Sequence, residues 1–283
     1  MSCFTARLLA AVVVGTWNGN WFPSGRAEHR AHPEVEAATI RAAAKMLAKG
    51  LATADPSGTN DVVLCLHEIR GPRVASNLVA RIGRKGLRVA VISGYRRRDR
   101  FDQQQDVIAT TLPVAEASWS KWKNAAHATP PRGYAFAAVV VSPAVTANVY
   151  AVHLKSNYGA TTQHLRDLNC EKRTRAVAQI IEQEGGNRGR KRRPVILAGD
   201  MNADRWRTEF ATEEIFGALE AAGFQNPLSL LPPAERATHP NARHGDSALD
   251  YVFARGMKCV SKPRIVPNDG LSDHYALFVT LVD

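Results

Sequence analysis

Apolar residues rich in Val, Ile and Leu recur in short runs along the chain, at 8–16, 62–66, 87–93, 106–112, 134–142, 145–152, 194–198, 249–253, 258–266 and 275–282. Runs of this length and β-branched content predict strands. Between several of them the spacing turns helical. Residues 33–49 are Ala-rich and stop at Gly50, which reads as a C-terminal cap, and 71–84, 161–184 and 208–222 also carry helical periodicity. Strand and helix alternate early and strands adjoin late, so the pattern predicts a mixed α/β layout with parallel and antiparallel pairing. Polar loops are expected at 23–32, 96–105, 118–132, 185–193 and 227–247. Strand patterns resume after each, so residues 1–283 read as one domain.

Certain polar residues sit where these runs end. Asn18 closes VVVGTWN, Glu68 closes VVLCLHE, His153 closes VTANVYAVH, and Asp200 and Asn202 close VILAGDMN. Asp250 and the pair Asp273 and His274 instead precede their runs, in ALDYVFA and LSDHYALFV. If the last strands run antiparallel to the others, all these groups meet on one rim. Carboxylates with amide oxygens are hard ligands suited to Mg²⁺, Mn²⁺ or Ca²⁺ rather than zinc. Two histidines add proton transfer near neutral pH, and an Asp can orient a His beside it. A hard cation with a His/Asp pair fits metal-assisted hydrolysis of a phosphate ester.

Charge narrows the partner. The 283 residues carry 37 Lys and Arg against 26 Asp and Glu, a net charge of +11, which suits nucleic acid first and an anionic membrane second. Cys3, Cys65, Cys170 and Cys259 show no zinc spacing, and disulfides are neither demanded nor excluded. No run approaches the roughly 20 apolar residues of a membrane span. The start resembles a signal peptide but reads as a first strand. An exported form is compatible with it, and no clear signal fixes the compartment.

The motifs TWN, LHE, VHLKSN, GDMN, LDYVF and SDH, in this order from residue 16 to 274, resemble the endonuclease/exonuclease/phosphatase or deoxyribonuclease-like superfamily. The resemblance implies a four-layered α/β/β/α sandwich of two packed mixed sheets flanked by helices. It further implies Glu68 as principal Mg²⁺ ligand, with Asn18 and Asp273 nearby as ligands or supporting groups. His274, oriented by Asp250, and His153 would be acid/base and phosphate contacts. Asp200 would handle the attacking water and Asn202 would hold a phosphate oxygen or metal-bound water. Arg132, in PPRGYAF, resembles a phosphate-contacting arginine. Two positions depart from the pattern: His67 stands where the family often has Gln, and His153 where the abasic-site branch usually has Tyr.

Such residues do not choose the ester. The loop GYRRRDR follows a strand joined by a helix to the Glu68 strand, so it should emerge on the catalytic rim, with Tyr95, Arg96, Arg97 and Arg98 against a nucleic-acid backbone. Lys121, Lys123, Lys155 and Asn157 join them as substrate contacts. RGRKRR at 188–193 precedes the Asp200 strand and should lie roughly 20 Å from that carboxylate, at about 3.3 Å per residue. The expected protein is a monomeric Mg²⁺- or Mn²⁺-dependent nuclease of low sequence specificity, acting on DNA and also compatible with RNA, without stable membrane association. By the resemblance it would leave 5′-phosphate ends. A sphingomyelinase-like lipid or inositol phosphohydrolase and an inactive nucleic-acid-binding module are the alternatives.

Overall fold

The computed structural model describes residues 11–24, 33–97, 100–101, 104–124, 127–185 and 192–283, except the side chains of Arg97, Arg100 and Phe101. The first half runs β1 (Ala11–Phe22), α1 (Pro33–Ala54), β2 (Asp61–Ile69), α2 (Pro72–Arg81), β3 (Arg88–Ile92), β4 (Arg96–Arg97), β5 (Arg100–Phe101) and β6 (Gln105–Thr110). It continues with β7 (Val114–Lys121), β8 (Gly133–Ser142), β9 (Val145–His153), α3 (Gln163–Gly185) and β10 (Val195–Asp200). The last part holds α4 (Ile215–Ala221), β11 (Asp250–Arg255), β12 (Lys258–Cys259), β13 (Arg264–Val266) and β14 (Ala276–Val282).

Two mixed sheets form. One has the order β12-β14-β1-β2-β6-β3, with β13 also on β14, and the other β11-β10-β9-β8-β7. Alternate residues of the first sheet explain the stacking. Val12, Val14, Val63, Cys65 and Val279 join one core with the second sheet, α3 and α4, whereas Val13, Val62, Leu64 and Phe278 join another with α1 and α2. Strands buried on both faces read as unbroken apolar runs. The resulting layers are those of an α/β/β/α sandwich, as the motif resemblance implied.

Four local differences have physical causes. Helix α1 does not end at Gly50 but runs through it to Ala54, because the glycine lets Phe278 approach: a Cβ there would lie 2.1 Å from Phe278 Cε2. The helical pattern at 208–222 splits into a 3₁₀ turn, Thr208–Phe210, and the short α4. The apolar segment 258–266 breaks into β12 and β13, both on β14, around Pro263, which has no N–H to give. The start of the expected loop 118–132 belongs to β7, an edge strand exposed along most of its length. Its sequence lacks the apolar alternation that marks a half-buried strand.

Candidate active site

Strand register assembles the site. β10 is parallel to β9, with Asp200 opposite His153, and antiparallel to β11, with Asp200 opposite Asp250. Three neighbouring strand ends thus set His153, Asp200 and Asp250 in one row. In the other sheet β1 and β2 pair Asn18 with His67, the residue before Glu68. β14 is antiparallel to β1, which brings His274 to the same rim. Asn18, Glu68, His153, Asp200 and His274 line a cleft of about 1390 Å³, with Asp250 buried behind His274.

The backbone around this cleft is unusual. Six non-glycine residues among those described have positive φ, and five of them, Asn20, Trp21, Glu68, Arg132 and Asn202, line the cleft. Such conformations cost on the order of 1–3 kcal/mol each and gather at sites where a side chain must be aimed off the regular strand path. Gly199, just before Asp200, is required for a related reason. Its φ is 150°, and a Cβ would lie 1.9 Å from the Val152 carbonyl oxygen.

Charge is distributed by burial and partnership. His274 Nδ1 lies 2.8 Å from Asp250 Oδ2, and its Nε2 stands 3.8 Å from Asp200 Oδ2. Burial disfavours the imidazolium, but Asp250 and Asp200 outweigh it and push its pKa up to about 10. Asp200 is raised to about 6 by burial, with the His274 charge pulling the other way. Its Oδ1 accepts the Asn202 backbone N–H at 2.7 Å and its Oδ2 the Asn18 Nδ2 at 2.9 Å. His153 is held well below the usual histidine range, first by burial and then by the positive charge of the nearby Arg132. Its Nε2 faces Glu68 Oε1 and Asp200 Oδ2, each at 3.6 Å, while its buried Nδ1 has no partner. Burial acts to raise Asp273, but the neighbouring His239 and His274 outweigh it and keep the carboxyl low.

Glu68 is the group that asks for a cation. It is 8 % exposed, and Oε2 accepts the Trp21 N–H at 3.0 Å. Oε1 has only Asn18 Nδ2 at 3.4 Å and the neutral His153 at 3.6 Å. A buried carboxylate without a counter-charge is costly, and a hard divalent ion fits its oxygen chemistry. Glu68 and Asp273 would hold such an ion. Of the two roles expected for Asn18, the hydrogen bonds describe the supporting one: its Oδ1 accepts the Asn20 N–H at 3.0 Å and its amide nitrogen faces Asp200 and Glu68. Among the described residues, His239/Asp273/His274 and Asp200/Asp250/His274 bring their ligand atoms within 4.8 Å of one another.

The outer wall carries Arg96, Lys121, Arg132, Lys155 and Arg243. Tyr95 borders the cleft without an open ring. It is 1 % exposed, its hydroxyl donates to Asp106 Oδ2 at 3.0 Å, and its ring meets Trp119 edge-on. Asn157 is outside the cleft lining, its Oδ1 accepting from Arg173 Nη1 at 3.2 Å. Arg132 reaches Gln104 Oε1 and the His153 carbonyl, so its guanidinium braces the wall. One amide hydrogen of Asn202 goes to the Leu154 carbonyl. Lys123 is not in the lining; the Arg97 side chain, Arg98 and residues 188–191 of the basic run lie outside the described residues. Arg193 stands before the first residue of β10, at the end away from Asp200.

His239 is the site residue that sequence reasoning missed. It lines the cleft with Nε2 3.7 Å from Asp273 Oδ2 and its ring edge-on to His274, centroids 4.8 Å apart. THP sits in an irregular stretch with no apolar run to place it. Its backbone bridge to Ser247 provides that placement.

The family model described as Endonuclease/Exonuclease/phosphatase family matches residues 15–274. No curated protein sequence matches the chain. Among solved structures, a humanized D. rerio TDP2 carrying 14 mutations aligns with a TM-score of 0.64 at 16% identity, covering 97% of this chain and 100% of that one. An endonuclease/exonuclease/phosphatase family protein from Leptotrichia buccalis gives 0.64 at 13% identity, with 96% and 100% covered. Sphingomyelinase C from Streptomyces griseocarneus gives 0.61 at 18% identity, with 95% and 99% covered. At these identities the likeness is one of fold.

Proposed function

This chain belongs to the endonuclease/exonuclease/phosphatase family, whose members are hydrolases acting on phosphodiester bonds, and we propose that it is a divalent-metal-dependent nuclease hydrolysing DNA with low sequence specificity. The observation that carries the reading is Asp200, a buried carboxylate flanked by His153 Nε2 at 3.6 Å and His274 Nε2 at 3.8 Å, in a cleft walled by Arg96, Lys121, Arg132, Lys155 and Arg243. The catalytic groups supply hydrolysis, and the cationic wall favours a polyanion over a single small headgroup.

The chain's residues divide the work. Asp200, poised at about 6, accepts a proton from water as its oxygen attacks phosphorus in line with the leaving 3′-oxygen. The P–O3′ bond breaks and a 5′-phosphate end remains. His274, kept charged by Asp250, lies at the reacting centre and stabilises the added negative charge or returns a proton to the leaving oxygen. His153, held neutral, presents Nε2 beside Glu68 and Asp200 as a contact for a phosphate oxygen. Asn202 locks the Asp200 carboxylate through its backbone N–H. A Mg²⁺ or Mn²⁺ ion held by Glu68 and Asp273 would supply Lewis-acid stabilisation of phosphate charge.

A substrate panel tests this. The purified protein is incubated with plasmid, single-stranded DNA, RNA and sphingomyelin, each with Mg²⁺, Mn²⁺ or EDTA. Metal-dependent plasmid nicking that is lost in His274→Ala is expected. Sphingomyelin turnover without DNA cleavage would replace the nuclease reading with the lipid one. Binding of DNA with no turnover of any substrate would leave a binding module.

A further inference from the structure

His67, the departure before Glu68, occupies the centre of the molecule. It is fully buried, and both ring nitrogens are engaged: Nδ1 with Asp106 Oδ1 at 2.8 Å and Nε2 with Thr16 Oγ1 at 3.2 Å. Asp106, also fully buried, takes the Tyr95 hydroxyl on its other oxygen. On the opposite side the ring reaches the second sheet, since a Cβ on Gly199 would lie 2.9 Å from His67 Cε1. One imidazole therefore ties β1, β2, β6 and the loop after β3 together and rests against the residue preceding Asp200.

The chain neighbours of these contacts are two carboxylates of the site, Glu68 and Asp200. Glu68 follows His67 directly and sits in a left-handed conformation with φ 57°. Nothing in strand geometry holds such a residue in place, so its anchor must come from packing on either side. Asp200 follows Gly199, whose missing side chain leaves the room that the His67 ring fills. We infer that His67, clamped by Asp106, is a positioning residue that fixes Glu68 and Asp200 relative to each other across the interface between the sheets. This rests on the reading of Glu68 as the cation's carboxylate. Groups that orient metal ligands from outside typically change metal affinity or activity by about 10–100-fold when removed.

Direct Mn²⁺ binding by calorimetry, thermal midpoint, and kcat and KM on a small phosphodiester are measured for His67→Leu, His67→Gln, Asp106→Asn, Tyr95→Phe and Glu68→Gln. His67→Leu and Asp106→Asn should weaken Mn²⁺ binding and lower kcat by about 10–100-fold with KM little changed. His67→Gln, which returns an amide to the site, should recover part of both. Tyr95→Phe removes only a hydroxyl from the far end of the chain of bonds and should shift Mn²⁺ affinity in the same direction by less. It decides the matter if the His67 variants fail to fold. A lowered thermal midpoint with wild-type Mn²⁺ affinity and kcat would make His67 merely structural and overturn the inference. Glu68→Gln separates the two levels. If it keeps Mn²⁺ affinity, the metal reading of Glu68 fails; if it loses affinity while the His67, Asp106 and Tyr95 variants keep theirs, only the positioning inference fails.

Discussion

Asp250 holds His274 by a 2.8 Å bond to Nδ1, which leaves Nε2 turned toward Asp200 at 3.8 Å. Asp250 is fully buried and its other oxygen, Oδ1, has no partner, so its negative charge is directed at this one imidazole. Replacing it by Asn keeps the size and removes that charge. Asp250→Asn should lower kcat by about 10²–10⁴-fold, the range of general acid–base catalysis, with little change in KM. Steady-state kinetics on plasmid and on a small phosphodiester check this, and an unaltered kcat would take His274 out of the proton path.

The pH profile follows from the two shifted groups. Asp200 must be ionised to accept a proton, so activity should rise with pH through about 6. His274 must be protonated, so activity should be lost as pH passes about 10. Asp250 is the leading cause that raises His274, so in Asp250→Asn the alkaline limb should move to lower pH. Rate measurements across this span at fixed metal would show a broad bell. An alkaline limb unmoved by the substitution would assign it to another group.

Substrate grip should reside in the outer cations. Arg96→Ala and Lys155→Ala each remove a positive charge from the cleft wall. For each DNA phosphate that a variant no longer neutralises, the slope of log affinity against log salt should flatten by about 0.9 on duplex DNA. KM for DNA should rise while turnover of a small phosphodiester stays near wild type. A parallel fall of both activities would mean that the residues shape the cleft.

Gly50 separates helix propensity from packing. In an exposed helix Gly→Ala stabilises by roughly 1 kcal/mol. Here the added carbon would lie 2.1 Å from Phe278, whose ring is fully buried. Overpacking of this kind costs about 1–3 kcal/mol, so Gly50→Ala should lower the denaturation midpoint. A raised midpoint would show that α1 shifts freely over the sheet.

The sequence by itself determined the strands and their polar terminators. Buried strands must be continuous and apolar, and certain polar residues that stop or precede these runs are the ones placed at the rim. That is why Asn18, Glu68, His153, Asp200, Asp250 and His274 were legible from pattern and motif. Tertiary structure decided what each side chain faces. The aspect of Asn18 toward two carboxylates, the burial of Tyr95, the turn of Asn157 to Arg173 and the arrival of His239 beside Asp273 all depend on segments far apart in the chain. β7 was illegible for the complementary reason: an exposed edge strand owes its form to hydrogen bonds with β8, and these leave no hydrophobic period in the sequence. His67 joins both levels. Its departure is visible in the sequence, and its contact with Gly199 of the second sheet exists only once the sheets have packed.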